Sequence, residues 1–105
     1  MSTKKKTDVF YEKGIADDSI GDVVVSLAGH DAGLVLIVVG KPDENNVLIA
    51  DGKTRKISSP KKKKVKHISV ISRLGYDVRM KILDGTANDS LLRREIASVT
   101  AEKLN

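Results

Sequence analysis

Ser26, His30 and Asp31 are the residue types of a nucleophile, a base and its orienting acid, and they stand close together in the chain. Catalysis by such a set needs the base within hydrogen-bond reach of both partners, and neighbours on one tight loop do not easily reach that mutual geometry. Asp17-Asp18 and Asp43-Glu44 pair carboxylates, but among small and polar neighbours they read as turn residues, not as an acid and base facing each other. No glycine-rich phosphate loop leads into a helix. With no cysteine there is neither a thiolate nucleophile, a disulfide framework nor a thiolate zinc site, and two histidines, His30 and His67, are too few to suggest a metal centre. At 105 residues the chain supports one small domain with a modest core rather than a deep substrate cleft. The expectation is a protein that is not an enzyme and needs no metal or cofactor.

What remains is the chemistry of charge. The net charge is +5, but it is unevenly placed. From Lys53 to Tyr76 there is no Asp or Glu, and the segment holds Lys53, Arg55, Lys56, Lys61, Lys62, Lys63, Lys64, Lys66 and Arg73. The other ten basic and fourteen acidic residues leave the rest of the chain at −4. A run of one sign repels itself unless an opposite charge lies beside it, so a polyanion is the natural partner. A lysine run can also be merely a solvated tract, and the surrounding pattern has to decide.

Residues 1–19 carry a lysine cluster, an isolated Phe10-Tyr11 pair and no sustained period, which predicts a flexible N-terminal arm. Asp22 to Leu27 is β-branched and bounded by glycines, as expected of a strand. Leu34 to Val39 is too short for a convincing helix and rich in Val and Ile, a second strand. Asp43-Glu44-Asn45-Asn46 forms a turn, and Val47 to Ala50 a third strand. Asp51-Gly52 suits a type I′ turn leading into a fourth strand over Lys53 to Ile57, so these segments predict a tight hairpin. Pro60 then ends that strand, the lysine run bulges out as a loop, and a fifth strand runs from Val65 to Ile71. Five short strands with turn signals between them predict a small barrel or strongly curled sheet over residues 20–72. Beyond it, residues 73–105 turn helical. Asn88 or Asp89 can cap a helix whose Leu92, Ile96 and Val99 share one face, a stripe expected to pack on the barrel, and Val78 and Ile82 suggest a shorter helical segment before it.

The segment Gly21 to Gly33, with its Ala28-Gly29-x-Asp31-x-Gly33 loop, resembles the KOW motif, a strand, a glycine-containing loop and the start of a second strand found in SH3-like barrels of ribosomal proteins and transcription factors. Together with Val38-Val39, Val47 to Gly52, Arg55-Lys56, Pro60 to Lys64 and Lys66-His67, it is similar to the small bacterial KOW-domain RNA-binding proteins and to KOW-containing large-subunit ribosomal proteins. The resemblance covers residues 20–71. It implies a mainly β fold, a five-stranded SH3-like barrel with a C-terminal helical tail. It also implies that Gly29, His30, Asp31 and Gly33 approach RNA backbone while Lys53, Arg55, Lys56, Lys61, Lys62, Lys63, Lys64, Lys66 and His67 supply phosphate contacts. Position 30, commonly basic in that family, is histidine here, which implies a weaker, pH-sensitive contact.

The barrel region has no Phe, Tyr or Trp, so the stacking platforms of many single-strand readers are missing, and a backbone-directed grip on structured RNA is the expected mode. The implied partner is RNA of the large ribosomal subunit, with ribosomal proteins nearby, for a protein that is monomeric when free. Other readings are a free RNA-binding regulator, a protein-interaction module using the barrel face or the Leu92/Ile96/Val99 stripe, and a nuclear-localisation segment at Pro60 to Lys66. The residues after Lys4-Lys5-Lys6 are not an apolar signal core. The longest apolar run, Leu34 to Val39, is far short of the roughly 20 residues a membrane helix needs. A cytoplasmic protein without membrane contact is expected.

Overall fold

The computed structural model describes residues 19–104. The arm expected over residues 1–19 lies, except for Ser19, outside them. The chain forms strands β1 (Asp22–Ser26), β2 (Val35–Asp43), β3 (Asn46–Ala50), β4 (Lys61–Lys64) and β5 (Ile68–Arg73), then helices α1 (Tyr76–Leu83) and α2 (Asp89–Leu104). All five strands join one antiparallel sheet in the order β4-β3-β2-β1-β5. The two outermost strands are consecutive in the chain and are linked by a single 3-10 turn, Val65–His67.

The central strands read in the sequence as unbroken apolar runs because they are buried on both faces: Val23 and Val24 in β1, and Leu36, Ile37 and Val38 in β2, have almost no exposure. One contiguous core joins them to Val47, Ile49 and Ala50 of β3 and to Leu74, Ile82, Leu92 and Val99 of the tail. α2 packs against β2, so the Leu92, Ile96 and Val99 stripe is taken up by the core and is not a free docking face. Asn88 caps α2, its Oδ1 accepting from the amide of Leu91 at 2.8 Å. Among the described residues no helix is long and apolar enough to cross a membrane.

β2 does not end at Val39 but runs on through Gly40, Lys41 and Pro42 to Asp43, and two further stretches depart from expectation. Residues 51–60 form a loop, not a strand paired through a type I′ turn. Asp51 Oδ1 accepts from the amides of Lys53 and Arg55 at 2.9 and 2.8 Å, and the amides of Asp51 and Gly52 both donate to the Arg55 carbonyl. Two of these backbone donors are thus satisfied by one carboxylate and two by one carbonyl, leaving none for a strand ladder. α2 holds the loop from outside, with Asp89 Oδ1 accepting from the amide of Ile57 at 2.7 Å and Arg93 Nη1 donating to the Gly52 carbonyl at 2.6 Å.

The lysine run, in turn, is not a bulging loop: it is β4, and Pro60 precedes the strand instead of ending one. Lys61, Lys62, Lys63 and Lys64 pair with Ile49, Leu48, Val47 and Asn46. The fifth strand begins at Ile68, because Val65–His67 makes the 3-10 turn.

Candidate functional site

In an antiparallel ladder, directly opposed residues point to the same face, so the register decides where each lysine goes. Lys61 and Lys63 stand opposite Ile49 and Val47, both buried, and turn inward. Lys62 and Lys64 stand opposite Leu48 and Asn46 and are exposed. The run is split in two by parity.

The inward pair meets an acid. The β1–β2 loop brings Asp31 under the sheet edge, where Lys63 Nζ donates to its Oδ1 at 2.8 Å and to the Ala28 carbonyl at 2.6 Å. Lys61 Nζ forms an ion pair with Oδ2 at 3.3 Å. The Ser26 hydroxyl lies 2.9 Å from Oδ1 and 3.1 Å from the Ala28 carbonyl, its single hydrogen shared between them. Burial pushes the Asp31 carboxyl up, but hydrogen bonds from Lys63 and Ser26, with the nearby Lys61 ammonium, outweigh it and hold the carboxyl well below the usual carboxylate range. Lys63 is 8% exposed and Lys61 32%. Asp31 and Lys63, expected among the RNA contacts, are therefore occupied with each other inside the protein, and Lys61 is half-occupied. Ser26 completes the cluster; of the Ser26, His30 and Asp31 set noted in the sequence, Ser26 and Asp31 meet while His30 is exposed.

The outward set is different. Lys62, Lys64 and Lys66 are exposed, the first two on β4 and the third on the 3-10 turn, and none has an acid within ion-pair distance among the described residues. The His67 side chain is half-buried, and its carbonyl accepts from the Leu27 amide at 2.8 Å, tying the 3-10 turn to the start of the β1–β2 loop. On that loop His30, Gly29 and Gly33 are exposed. Gly33 has φ +90° and nothing within 4 Å of where a Cβ would stand, so its backbone conformation, and not crowding, calls for glycine. Lys53 and Lys56 are exposed and Arg55 half-buried on the separate loop anchored by α2. The residues expected to act together thus fall into four groups: the buried Asp31 cluster, the exposed Gly29, His30 and Gly33 of the β1–β2 loop, the edge of β4 with the 3-10 turn, and the 51–60 loop.

Beside the exposed edge lies a cleft of about 560 Å³ between the β2–β3 turn and the 3-10 turn, lined by Glu44, Asn45, Asn46, Lys64, Val65 and Lys66. The sequence marked Asp43 to Asn46 only as a turn. That turn is tightly built: Asp43 Oδ1 accepts from the Asn45 amide at 2.8 Å and from Asn46 Nδ2 at 2.9 Å. These bonds, Asn46 first, lower the Asp43 carboxyl below its ordinary value. Lys41 Nζ donates to the carbonyls of Asp43 and Glu44, and the Val65 amide donates to the Asn45 carbonyl, joining the two turns. Among the described residues no group of three or more His, Cys, Asp and Glu side chains is placed to hold a metal ion.

Compared with known proteins, the chain matches no family model and no curated protein.

Proposed function

We propose that the protein is a non-catalytic RNA-binding module, a KOW-type SH3-like barrel that grips the phosphate backbone of structured RNA and works in the cytoplasm in association with the large ribosomal subunit. The strand order supports this reading, since outermost strands joined by one 3-10 turn suit a sheet that curls toward closure. The observation that carries it is the exposed row Lys62, Lys64 and Lys66, without acidic neighbours in the chain from position 53 to 76. Successive outward residues of a strand recur about every 6.6 Å, a step suited to cations that track a phosphate backbone. Lys53 and Lys56 extend the positive surface from the neighbouring loop, and His30 and Gly33 let the β1–β2 loop come close to the chain being bound. The lack of aromatic residues from position 20 to 72 argues for backbone recognition over base stacking.

The test is sedimentation of a native lysate through a density gradient at low and raised salt, following this protein beside the ribosomal subunits. Comigration with the large subunit that weakens as salt rises is the expected result. A position at the top of the gradient under both conditions refutes stable ribosome association.

A further inference from the structure

The cleft between the two turns has a composition that phosphate binding alone does not explain. Glu44 stands at its rim with Lys64 and Lys66, and a carboxylate in a surface meant for phosphates costs affinity. Its turn is fixed by the Asp43, Lys41 and Val65 bonds, yet neither the Glu44 carboxylate nor the Asn45 side-chain amide has a hydrogen-bond partner among the described residues. Asn46 gives its amide hydrogens to Asp43, which leaves its carbonyl oxygen as an acceptor. Val65 keeps 40% of its surface exposed, in a 3-10 turn that buries nothing. The cleft therefore combines an apolar patch, acceptors on one wall and two cations, in a volume typical of small-ligand sites.

We propose that this cleft receives one unpaired guanine of a bound RNA strand, with Glu44 reading the base and Lys64 and Lys66 holding the phosphates on either side of it. The inference rests on the RNA-binding reading above and adds base selectivity to it. Guanine is the base that offers two adjacent donors, N1–H and the N2 amino group, on one edge, and these match the two oxygens of a carboxylate. Adenine and cytosine set one amino group beside an acceptor that a carboxylate repels, and uracil sets its single N–H between two acceptors. Val65 would lie against the base face, in place of the aromatic platform the sequence lacks.

The probes are labelled oligouridylates of about eight nucleotides carrying a central G, A or C, or none, titrated with the full chain by fluorescence anisotropy over a range of salt. The G probe is expected to bind roughly tenfold more tightly than the others, the discrimination usual for one good bidentate base contact. Glu44→Gln, at an exposed turn position, should reduce that preference to about twofold or less and leave the salt slope unchanged, since no phosphate contact is lost. Val65→Ser should weaken the G probe more than the plain oligouridylate. Equal binding of all four probes overturns the guanine site while leaving the RNA reading intact, as does Glu44→Gln tightening every probe alike. Failure of every probe to bind even at low salt also overturns the guanine site, while the reading for structured RNA is decided by the gradient. Guanosine monophosphate competing as well as the G probe would mark a mononucleotide pocket and overturn the role assigned to the RNA strand.

Discussion

Replacing Lys62 and Lys64 by glutamine, and in a second chain Lys63 by methionine, separates the two halves of the lysine run. The outward pair carries no ion pair and is exposed, so its loss should leave folding stability within about 0.5 kcal/mol of the parent. If both lysines contact phosphates, the slope of log affinity against log salt should flatten by about 1.4 to 1.8. Lys63 behaves oppositely. It is 8% exposed and bonded to Asp31, and removing one partner of a buried pair costs about 3 to 5 kcal/mol. Lys61, a third exposed, softens that figure by remaining beside the carboxylate. The salt slope of the folded Lys63→Met chain should match the parent, because its ammonium contacts no phosphate. Urea denaturation gives the stabilities and anisotropy titrations at several salt concentrations give the slopes. Equal slope changes for the two chains, or a stability loss confined to the outward pair, would refute the division by register.

Acid should expose the same cluster. The folded Asp31 carboxyl lies well below its unfolded value of about 3.9, so the stabilisation it gives is complete above about pH 5, declines as pH falls through 4 because the unfolded chain takes up the proton first, and is lost below the folded pKa. Asp31→Asn, lacking that linkage, should be less stable at pH 7 by about 2 kcal/mol or more and show a flatter stability profile between pH 5 and 2 in thermal melts. At the glycines, Gly52→Ala should cost clearly more than Gly33→Ala: both have positive φ, worth about 1 kcal/mol, but a Cβ at 52 overlaps the Asp89 carbonyl while one at 33 meets open space. Chemical denaturation of the two variants compares them directly. Leu92→Ala should lower stability by about 2 to 5 kcal/mol, as for a fully buried core leucine, and an effect under 1 kcal/mol would mean that α2 is not part of the domain core.

The parts of the fold that were legible are those whose signal is local. Val23-Val24-Val25, Leu34 to Val39 and Val47 to Ala50 are β-branched or apolar runs between turn residues. Asn88 with Leu92, Ile96 and Val99 states both the start and the buried face of α2. Two elements were misread because their outcome is tertiary. Lysine has low strand propensity and the run has no apolar alternation, so nothing within Lys61 to Lys64 asks for a strand. It becomes one by pairing with the open side of β3, with Asp31 supplied from the β1–β2 loop. Asp51-Gly52 likewise carries the same local signal for a hairpin turn and for an Asp-centred loop. Asp89 and Arg93, both on α2, tie down that loop from positions distant in the chain. In the candidate site the density of charge was legible, and its division was not, since parity on a strand requires knowing that the strand exists.

That division bears on why four consecutive lysines occupy this place. A lysine-bearing outermost strand keeps other chains from pairing with it, and this alone would justify Lys62 and Lys64. It does not justify Lys61 and Lys63, which point inward and are tolerated because Asp31 and the Ala28 carbonyl receive them. Nor does protection of an edge require one sign of charge: glutamates at 62 and 64 would serve as well. A positive sign suits the polyanionic ligand proposed above and also the neighbouring Asp43 and Glu44. An inward set neutralised within the protein, beside an outward set that forms no ion pair among the described residues, concentrates positive charge on a preordered strand, where side chains are held at a fixed spacing instead of averaging over a loose loop. Ordering the cations before binding lowers the entropy lost when they meet phosphates. On the proposed RNA-binding reading, the buried Asp31 cluster would act at one remove, by holding β4 in the register that presents Lys62 and Lys64.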